Sequence, residues 1–338
     1  MIYDVAVIGG GPAGLIAAGR AGELGARVIL VEKNNQLGSK LLLTGHGRSN
    51  LTNLLADRKE TIGAYGKNHK FLFSVFNKFS VAETINFFNS LGVATKEEDR
   101  GRIFPLSDQA GDTLAALIEY LKKGGVSLKL GAEVKEIKAM NKKITEVILT
   151  DGQEIFAKNY IISTGGQSYP GTGSTGAGYE WLERLGHKII TPRPALTPVI
   201  VKEKIVKDLE GLSLKDIRIS VYQDKKKITS RMGEIIFTAD GVSGPAIIDL
   251  SARAGELLPA PVFLKIDFKP ESEFAEFEKK LQTDFHGARN RMFKNYLAGL
   301  VPPKLAPTII KLTGINGAKQ ASAITKTERQ ALALSLKE

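Results

Sequence analysis

The chain opens on an apolar, β-branched run, Ile2–Ile8, broken only by Asp4, the pattern of a strand covered on both faces. A glycine cluster follows. Leu15, Ala18, Ala21 and Leu24 then recur at helical spacing across Ala13–Leu24, with Gly25 as the stop signal. Arg27–Val31 is a second apolar run, closed by Glu32, so the pattern predicts a parallel strand–helix–strand unit in about 30 residues. Residues 54–123 read as helical, with Phe71, Val75, Phe76, Phe79, Phe87 and Phe88 supplying apolar faces. Val126–Leu130, Glu133–Ala139, Lys143–Thr150 and Glu154–Ala157 read as successive short strands, with Asp151-Gly152 a tight turn. Tyr160–Ser163 reads as a further buried strand, so a small meander leaving a parallel sheet is expected.

Three prolines in Thr191–Pro198 exclude an ordinary helix and mark a linker into a second module. Ile217–Tyr222 and Glu234–Phe237 look like strands of that module. From Glu271 to Thr313 the pattern turns helical, interrupted at Pro302-Pro303 and Pro307.

At 338 residues the chain has the length of two to three ordinary domains. It contains no cysteine, which removes disulfide scaffolds, thiolate metal sites and cysteine nucleophiles, and fits a reducing compartment. No apolar run reaches the ~18 residues of a membrane span. The first residues carry Asp4 and no basic start, unlike a signal peptide. A cytoplasmic protein without membrane partners is expected, and nothing in the pattern specifies an oligomeric state. The net charge of +11 favours anionic partners. It is uneven: Phe285–Thr327 holds seven basic residues and no acid.

Gly9-Gly-Gly-Pro-Ala-Gly14 satisfies G-x-G-x-x-G at Gly9, Gly11 and Gly14. Its position between a strand and a helix, with Glu32 ending the next strand, makes it a dinucleotide-binding fingerprint of Rossmann type. Gly9 permits the tight turn, Gly11 lets a pyrophosphate approach the backbone, and Gly14 lets helix and strand pack closely. The helix N-terminus near Ala13 offers unpaired N–H groups and a positive dipole end to phosphates. Glu32 suits an unphosphorylated ribose, which leaves FAD and NAD open at this point. Residues 38–53 supply three glycines, Lys40, Arg48 and Asn50 just after that acid. Ile161-Ile-Ser-Thr-Gly-Gly166 is a strand ending in a glycine turn, where a side chain would collide with a dinucleotide. Gly171–Gly178 is a glycine-rich loop ahead of a helix expected at Tyr179–Leu185; it reads equally as a loop that cradles a phosphate or lines a flavin pocket and as an ordinary helix entry capped by Ser174 or Thr175. Ser243 is the corresponding candidate for a helix at Ala246–Ala252, and Trp181 reads as core. His46, His69, His187 and His286 are scattered without metal-ligand spacing.

Together, Gly9–Gly14, Glu32, Gly38-Ser-Lys40, Thr44–Asn53, Gly101–Pro105, Ser163–Pro170, Thr172–Tyr179, Pro194–Pro198, Gly233–Thr238 and Gly241–Pro245 resemble the BaiN/YhiN-type family of FAD-dependent flavoproteins. The resemblance implies an α/β fold. A Rossmann-like FAD-binding domain (parallel sheet plus β-meander) over residues 1–190 would carry an inserted β-rich module over 191–270 and a helical module over 271–338. It shifts the cofactor from NAD to FAD, with NAD(P)H as reductant. The cofactor-binding residues it implies are Gly9, Gly11, Pro12, Ala13, Gly14, Glu32, Lys33, Lys40, Gly45, Gly47, Arg48, Asn50, Val134, Thr164, Gly165 and Gly166. No catalytic residue is named.

Two departures are visible. Ser49 stands where the family usually has cysteine. Nothing after Glu271 resembles the family's closing segment, in which the chain returns to the flavin, so a truncated or non-catalytic dinucleotide-binding protein is the alternative from a different class. The chemistries the resemblance implies are reduction of an activated C=C bond, oxidation of a small amine, and reduction of a uridine in ribosomal RNA. For the last, Arg289, Arg291, Lys294 and Lys304 would contact phosphates without reading sequence.

Overall fold

A computed structural model describes residues 1–55 and 58–337 and divides the chain into two compact units, Met1–Pro192 and Arg193–Glu338. Each is described by itself. Residues 56–57 of the stretch expected to be helical lie outside the described residues, as does Glu338.

In the first unit β1 (Ile2–Ile8) leads through the glycine turn into α1 (Pro12–Glu23) and back to β2 (Val28–Val31). Val5 pairs with Val28 and Ile8 with Val31, in parallel. Ala6, Val7, Ile8 and all four β2 residues are buried, as the unbroken apolar runs require. α2 (Ala110–Lys123) packs on α1 and delivers the chain to β3 (Ser127–Lys129), parallel to β2. β4 (Val134–Met140), β5 (Lys143–Leu149) and β6 (Glu154–Ile162) then form the antiparallel meander. β6 also pairs in parallel with β1, so the sheet order is β3-β2-β1-β6-β5-β4.

The runs Glu154–Ala157 and Tyr160–Ser163, expected as two strands, are one continuous strand, β6. Its first residues, Glu154 and Ile155, pair with β5 of the meander, and Phe156–Ile162 pair with β1. The stretch 54–123 is not wholly helical. Thr95–Glu98 and Arg102–Pro105 pair antiparallel, and Arg102–Pro105 also pairs with Thr52–Asn53, making a separate three-stranded sheet. The sequence Thr-Lys-Glu-Glu has no apolar alternation, so this edge strand is silent to a pattern reading. Of the aromatic and aliphatic positions expected to form apolar faces there, only Phe88 is buried; Phe71 is 79% exposed.

The second unit holds an antiparallel sheet. β7 (Val199–Ile200), β8 (Ser213–Gln223), β9 (Lys226–Thr238), β10 (Gly241–Ser243) and β11 (Val262–Asp267) stand in the order β7-β10-β9-β8-β11. The helix Pro245–Leu257 packs on this sheet, and helices Phe274–Gly287, Phe293–Leu300, Ala306–Thr313 and Lys326–Lys337 follow. Ser243 is a strand residue and not the expected cap; the helix start falls at Gly244, with Pro245 in its first turn and no side-chain cap. One apolar cluster includes Ile219, Val221 and Ile235 from the sheet and Ile247 from the helix packed on it. It also includes Phe277, Leu281, Phe293, Leu297 and Leu332 from the later helices.

The last helix is fastened to that sheet. Lys337 Nζ donates to Asp267 Oδ2 at 2.8 Å, to the Lys269 carbonyl at 2.7 Å and to the Ser272 carbonyl at 2.5 Å. Both side chains are nearly buried. Lys337→Ala leaves the Asp267 carboxylate with the Lys269 backbone N–H at 2.9 Å and, as its nearest cation, Arg218 at 3.7 Å. It should destabilise this unit by about 3 kcal/mol, read as a lowered denaturant midpoint.

Candidate cofactor cleft

β1 ends at Ile8 and the chain must turn at once into α1 over the C-terminal edge of the sheet. Gly9 makes the turn at φ +107°, with its N–H donated to the Val31 carbonyl at 2.8 Å. A Cβ on Gly9 would stand 2.6 Å from the Ser163 carbonyl oxygen, and one on Gly14 would stand 1.9 Å from the Gly9 carbonyl oxygen. A Cβ on Gly11, at an ordinary extended φ of −78°, would meet nothing within 4 Å. The three glycines therefore play distinct parts. Gly9 and Gly14 are required by the protein's own packing, while Gly11 opens onto free space.

That space is a cleft of about 250 Å³ lined by Gly9–Ala13, Glu32, Lys33, Asn34, Lys40, Ala132–Val134, Ser163–Gly165, Thr172–Ala177 and Trp181, among others. No side chain caps the first turn of α1, and Pro12 opens it. The unpaired amides at this end, and the positive end of the helix dipole, suit an anionic group. Glu32, 8% exposed, is fixed by two backbone donors. Gly10 N–H reaches Oε2 at 2.6 Å and Asn34 N–H reaches Oε1 at 2.8 Å. Each carboxylate oxygen retains a lone pair for a further donor such as a ribose hydroxyl. Burial pulls the Lys40 ammonium below the usual lysine range, and its Nζ lies 3.4 Å from Ser168 Oγ.

The far wall is the loop Thr172–Gly176. Asn34 Nδ2 donates to the Thr172 carbonyl at 3.1 Å and Lys33 Nζ to Thr175 Oγ1 at 3.5 Å. A helix, α3 (Ala177–Arg184), begins there on Gly176 at φ +88° with no side-chain cap, so neither Ser174 nor Thr175 caps it as expected. Trp181, expected in the core, packs at the edge of the apolar cluster that contains Ala132 and Val134 and also lines the cleft.

The structure thus brings Gly9, Gly11, Pro12, Ala13, Glu32, Lys33, Lys40, Val134, Thr164 and Gly165 to one cleft. Gly14 sits behind the turn. Gly166 lies outside the lining, and a Cβ there would meet the Tyr179 hydroxyl at 3.2 Å. Gly45, Gly47, Arg48 and Asn50 are not brought to the cleft and are organised around the three-stranded sheet. Asn50 Nδ2 donates to the Thr52 and Ile103 carbonyls, both at 3.0 Å. Arg48 Nη1 sits 2.9 Å from Glu98 Oε1 and 3.3 Å from Asp108 Oδ1, its guanidinium carbon 4.1 Å from the Phe104 ring centre. A hydrogen bond from Lys96, aided by Arg48, holds the Asp108 carboxyl below the usual carboxylate range. Asn34, Thr172–Ala177 and Trp181 are cleft residues absent from the sequence-derived set. The glycine density of 171–178 signals the loop Thr172–Ala177, and nothing in the pattern singles out Asn34.

These residues fit a dinucleotide. A Cβ on Gly11 would meet nothing within 4 Å, the uncapped helix begins at that opening, and a carboxylate fixed by two backbone donors lines the same cleft. Among the described residues no group of side chains could hold a metal ion, and no helix is long and apolar enough to cross a membrane.

Gly11→Val should abolish FAD retention while costing about 1 kcal/mol of stability through the poorer helix cap. Gly14→Ala should instead destabilise the first unit by roughly 3 kcal/mol through the clash with Gly9. Paired thermal melts and cofactor extraction separate the two. Glu32→Ala leaves the buried Gly10 amide and the part-buried Asn34 amide without their acceptor and should lower both stability and FAD affinity by roughly 1–3 kcal/mol, checked by melts and FAD titration.

Residues 3–260 match the HI0933-like protein Rossmann domain, and residues 193–338 match the HI0933-like protein barrel and H2TH domain. The chain is 30% identical over 338 residues to a 3-dehydro-bile acid delta(4,6)-reductase of Clostridium scindens, covering 99% of this chain and 81% of that protein. It is 28% identical over 313 residues to a ribosomal RNA dihydrouridine synthase of Escherichia coli, covering 92% and 74%. Among solved structures it is similar to the 3-ketosteroid-delta4-(5alpha)-dehydrogenase of Rhodococcus jostii. That match has 17% identity and a TM-score of 0.47, covering 63% of this chain and 59% of that one. The chain belongs to the HI0933-like family, and it is an FAD-dependent oxidoreductase with a Rossmann-like α/β fold.

Proposed function

We propose that this protein reduces an activated C=C bond of a small molecule, with NAD(P)H as the class of reductant. The observation that carries this reading is the likeness to the bile acid reductase across 99% of the chain. When bound, FAD supplies the hydride transfer, as flavins do generally. The chain's own residues bind and orient. The first turn of α1 takes the diphosphate on its backbone amides, with Gly11 allowing close approach. Glu32, immobilised by Gly10 and Asn34, accepts from the ribose. Lys33 and Lys40 place positive charge along the same cleft, and Ala132–Val134 close its apolar end. None of the four histidines lines this cleft. A C=C reduction adds one hydride and one proton, and the proton comes from solvent.

A second reading, reduction of a uridine in ribosomal RNA, is favoured by one observation. Arg289, Arg291 and Lys294 are exposed within six residues at the start of the helix Phe293–Leu300, inside the acid-free stretch 285–327. Lys304 is exposed as well and donates to the Glu210 carbonyl.

The two readings separate in one assay. FAD-loaded protein and NAD(P)H are offered a conjugated steroid enone or rRNA under anaerobic conditions, and products are read by mass. A gain of two hydrogens on the enone is the expected result. A gain confined to uridine, with affinity falling steeply as salt rises, transfers the assignment to RNA.

A further inference from the structure

We infer that Trp181 is the aromatic wall of an adenine subsite, and that it sets this cleft's preference for adenosine-bearing ligands over shorter flavins. This inference rests on the cofactor reading above. The cleft has two ends. The glycine turn and Lys40 belong to one, and the Ala132–Val134 segment to the other. Glu32 stands between them, its carbonyl accepting from Ala132 N–H at 2.9 Å. A dinucleotide with its diphosphate over Gly11 and its ribose at Glu32 has only the Ala132–Val134 end left for its base.

Among the described residues, Trp181 is the one aromatic side chain lining the cleft. It packs against the apolar cluster that includes Val31, Ala132 and Val134. The element that carries it is anchored there too. The Thr172 carbonyl is bonded by Asn34, and a Cβ on Gly173 would fall 2.7 Å from Asn34 Nδ2, so the loop before α3 lies directly over the residues that follow Glu32. Trp181 stands on α3's second turn, partly buried on one side and open to the cleft on the other. An indole in that position offers an apolar face to a purine, and such stacking is worth about 1–3 kcal/mol per base.

Trp181 is the only tryptophan of the chain, so its emission reports on this subsite alone. Titrating the FAD-free full chain with ADP should quench or shift the tryptophan emission, whereas FMN, which lacks the adenosine, should leave it unchanged at equal concentration. Trp181→Leu, which keeps an apolar side chain and the helix, should weaken FAD and ADP binding by about 10- to 100-fold in calorimetry. Trp181→Phe should stay within about threefold of wild type. ADP that binds by calorimetry without altering the emission, or a Leu variant with unchanged ADP affinity, overturns the role of Trp181 while leaving the cleft assignment intact. Failure of ADP to bind at all overturns both, through the cofactor reading itself.

Discussion

The Glu32 carboxylate holds the cleft together before any ligand arrives. It gathers the Gly10 amide at 2.6 Å from the glycine turn and the Asn34 amide at 2.8 Å from the end of β2. Two loops from adjacent strands are thereby tied to one buried side chain. Backbone donors removed from water and left unpaired cost more than a formed bond returns, so the arrangement resists relaxation. The direction of α1, and hence the aim of its unpaired amides, is set by this clamp together with the Gly9 turn. A carboxylate predicted only as a ribose acceptor is therefore also a structural strut, and substitution at Glu32 acts on fold and affinity at once.

The sequence made the first 32 residues legible because three constraints coincide there. Two strands buried on both faces read as unbroken apolar runs, and the glycines between them are each demanded by a contact or an opening. The acid closes the second strand. Such agreement across levels is what lets a local reading succeed. It failed where burial is partial. Thr95–Glu98 is a strand because Arg102–Pro105 and its neighbour supply the pairing, and no apolar alternation announces it. β6 looked like two strands because Lys158-Asn159 interrupts the apolar run, yet both residues are exposed and lie within one ladder with β1.

The site was legible in its motif and opaque in its far wall. Arg48 and Asn50 follow Glu32 closely in sequence, which suggested a shared cleft. Their side chains are instead committed to Glu98, Asp108 and the carbonyls of Thr52 and Ile103. Sequence proximity to a binding acid carries no directional information once the chain turns through positive φ at Gly45, His46, Gly47 and Ser49. Conversely, Asn34 and Thr172 are 138 residues apart and meet through a single hydrogen bond, a juxtaposition that only the closed sheet can create.

Charge supplies the last step of the argument. The cleft lies within a unit whose basic excess is small, while the acid-free stretch lies in the other, so net charge does not locate the chemistry. What makes the cleft anion-seeking is geometry. α1 and α3 both begin at its rim, on Gly11 and Gly176, and neither first turn is capped by a side chain. Each uncapped start presents up to roughly half a positive charge. With Lys33 and Lys40 alongside, these fixed dipoles offset the negative charge of Glu32 without any reorganisation when a diphosphate binds. A serine or aspartate at either start would satisfy those amides internally and surrender that advantage. The choice of glycine at both positions is therefore a property of the site and not only of the turns.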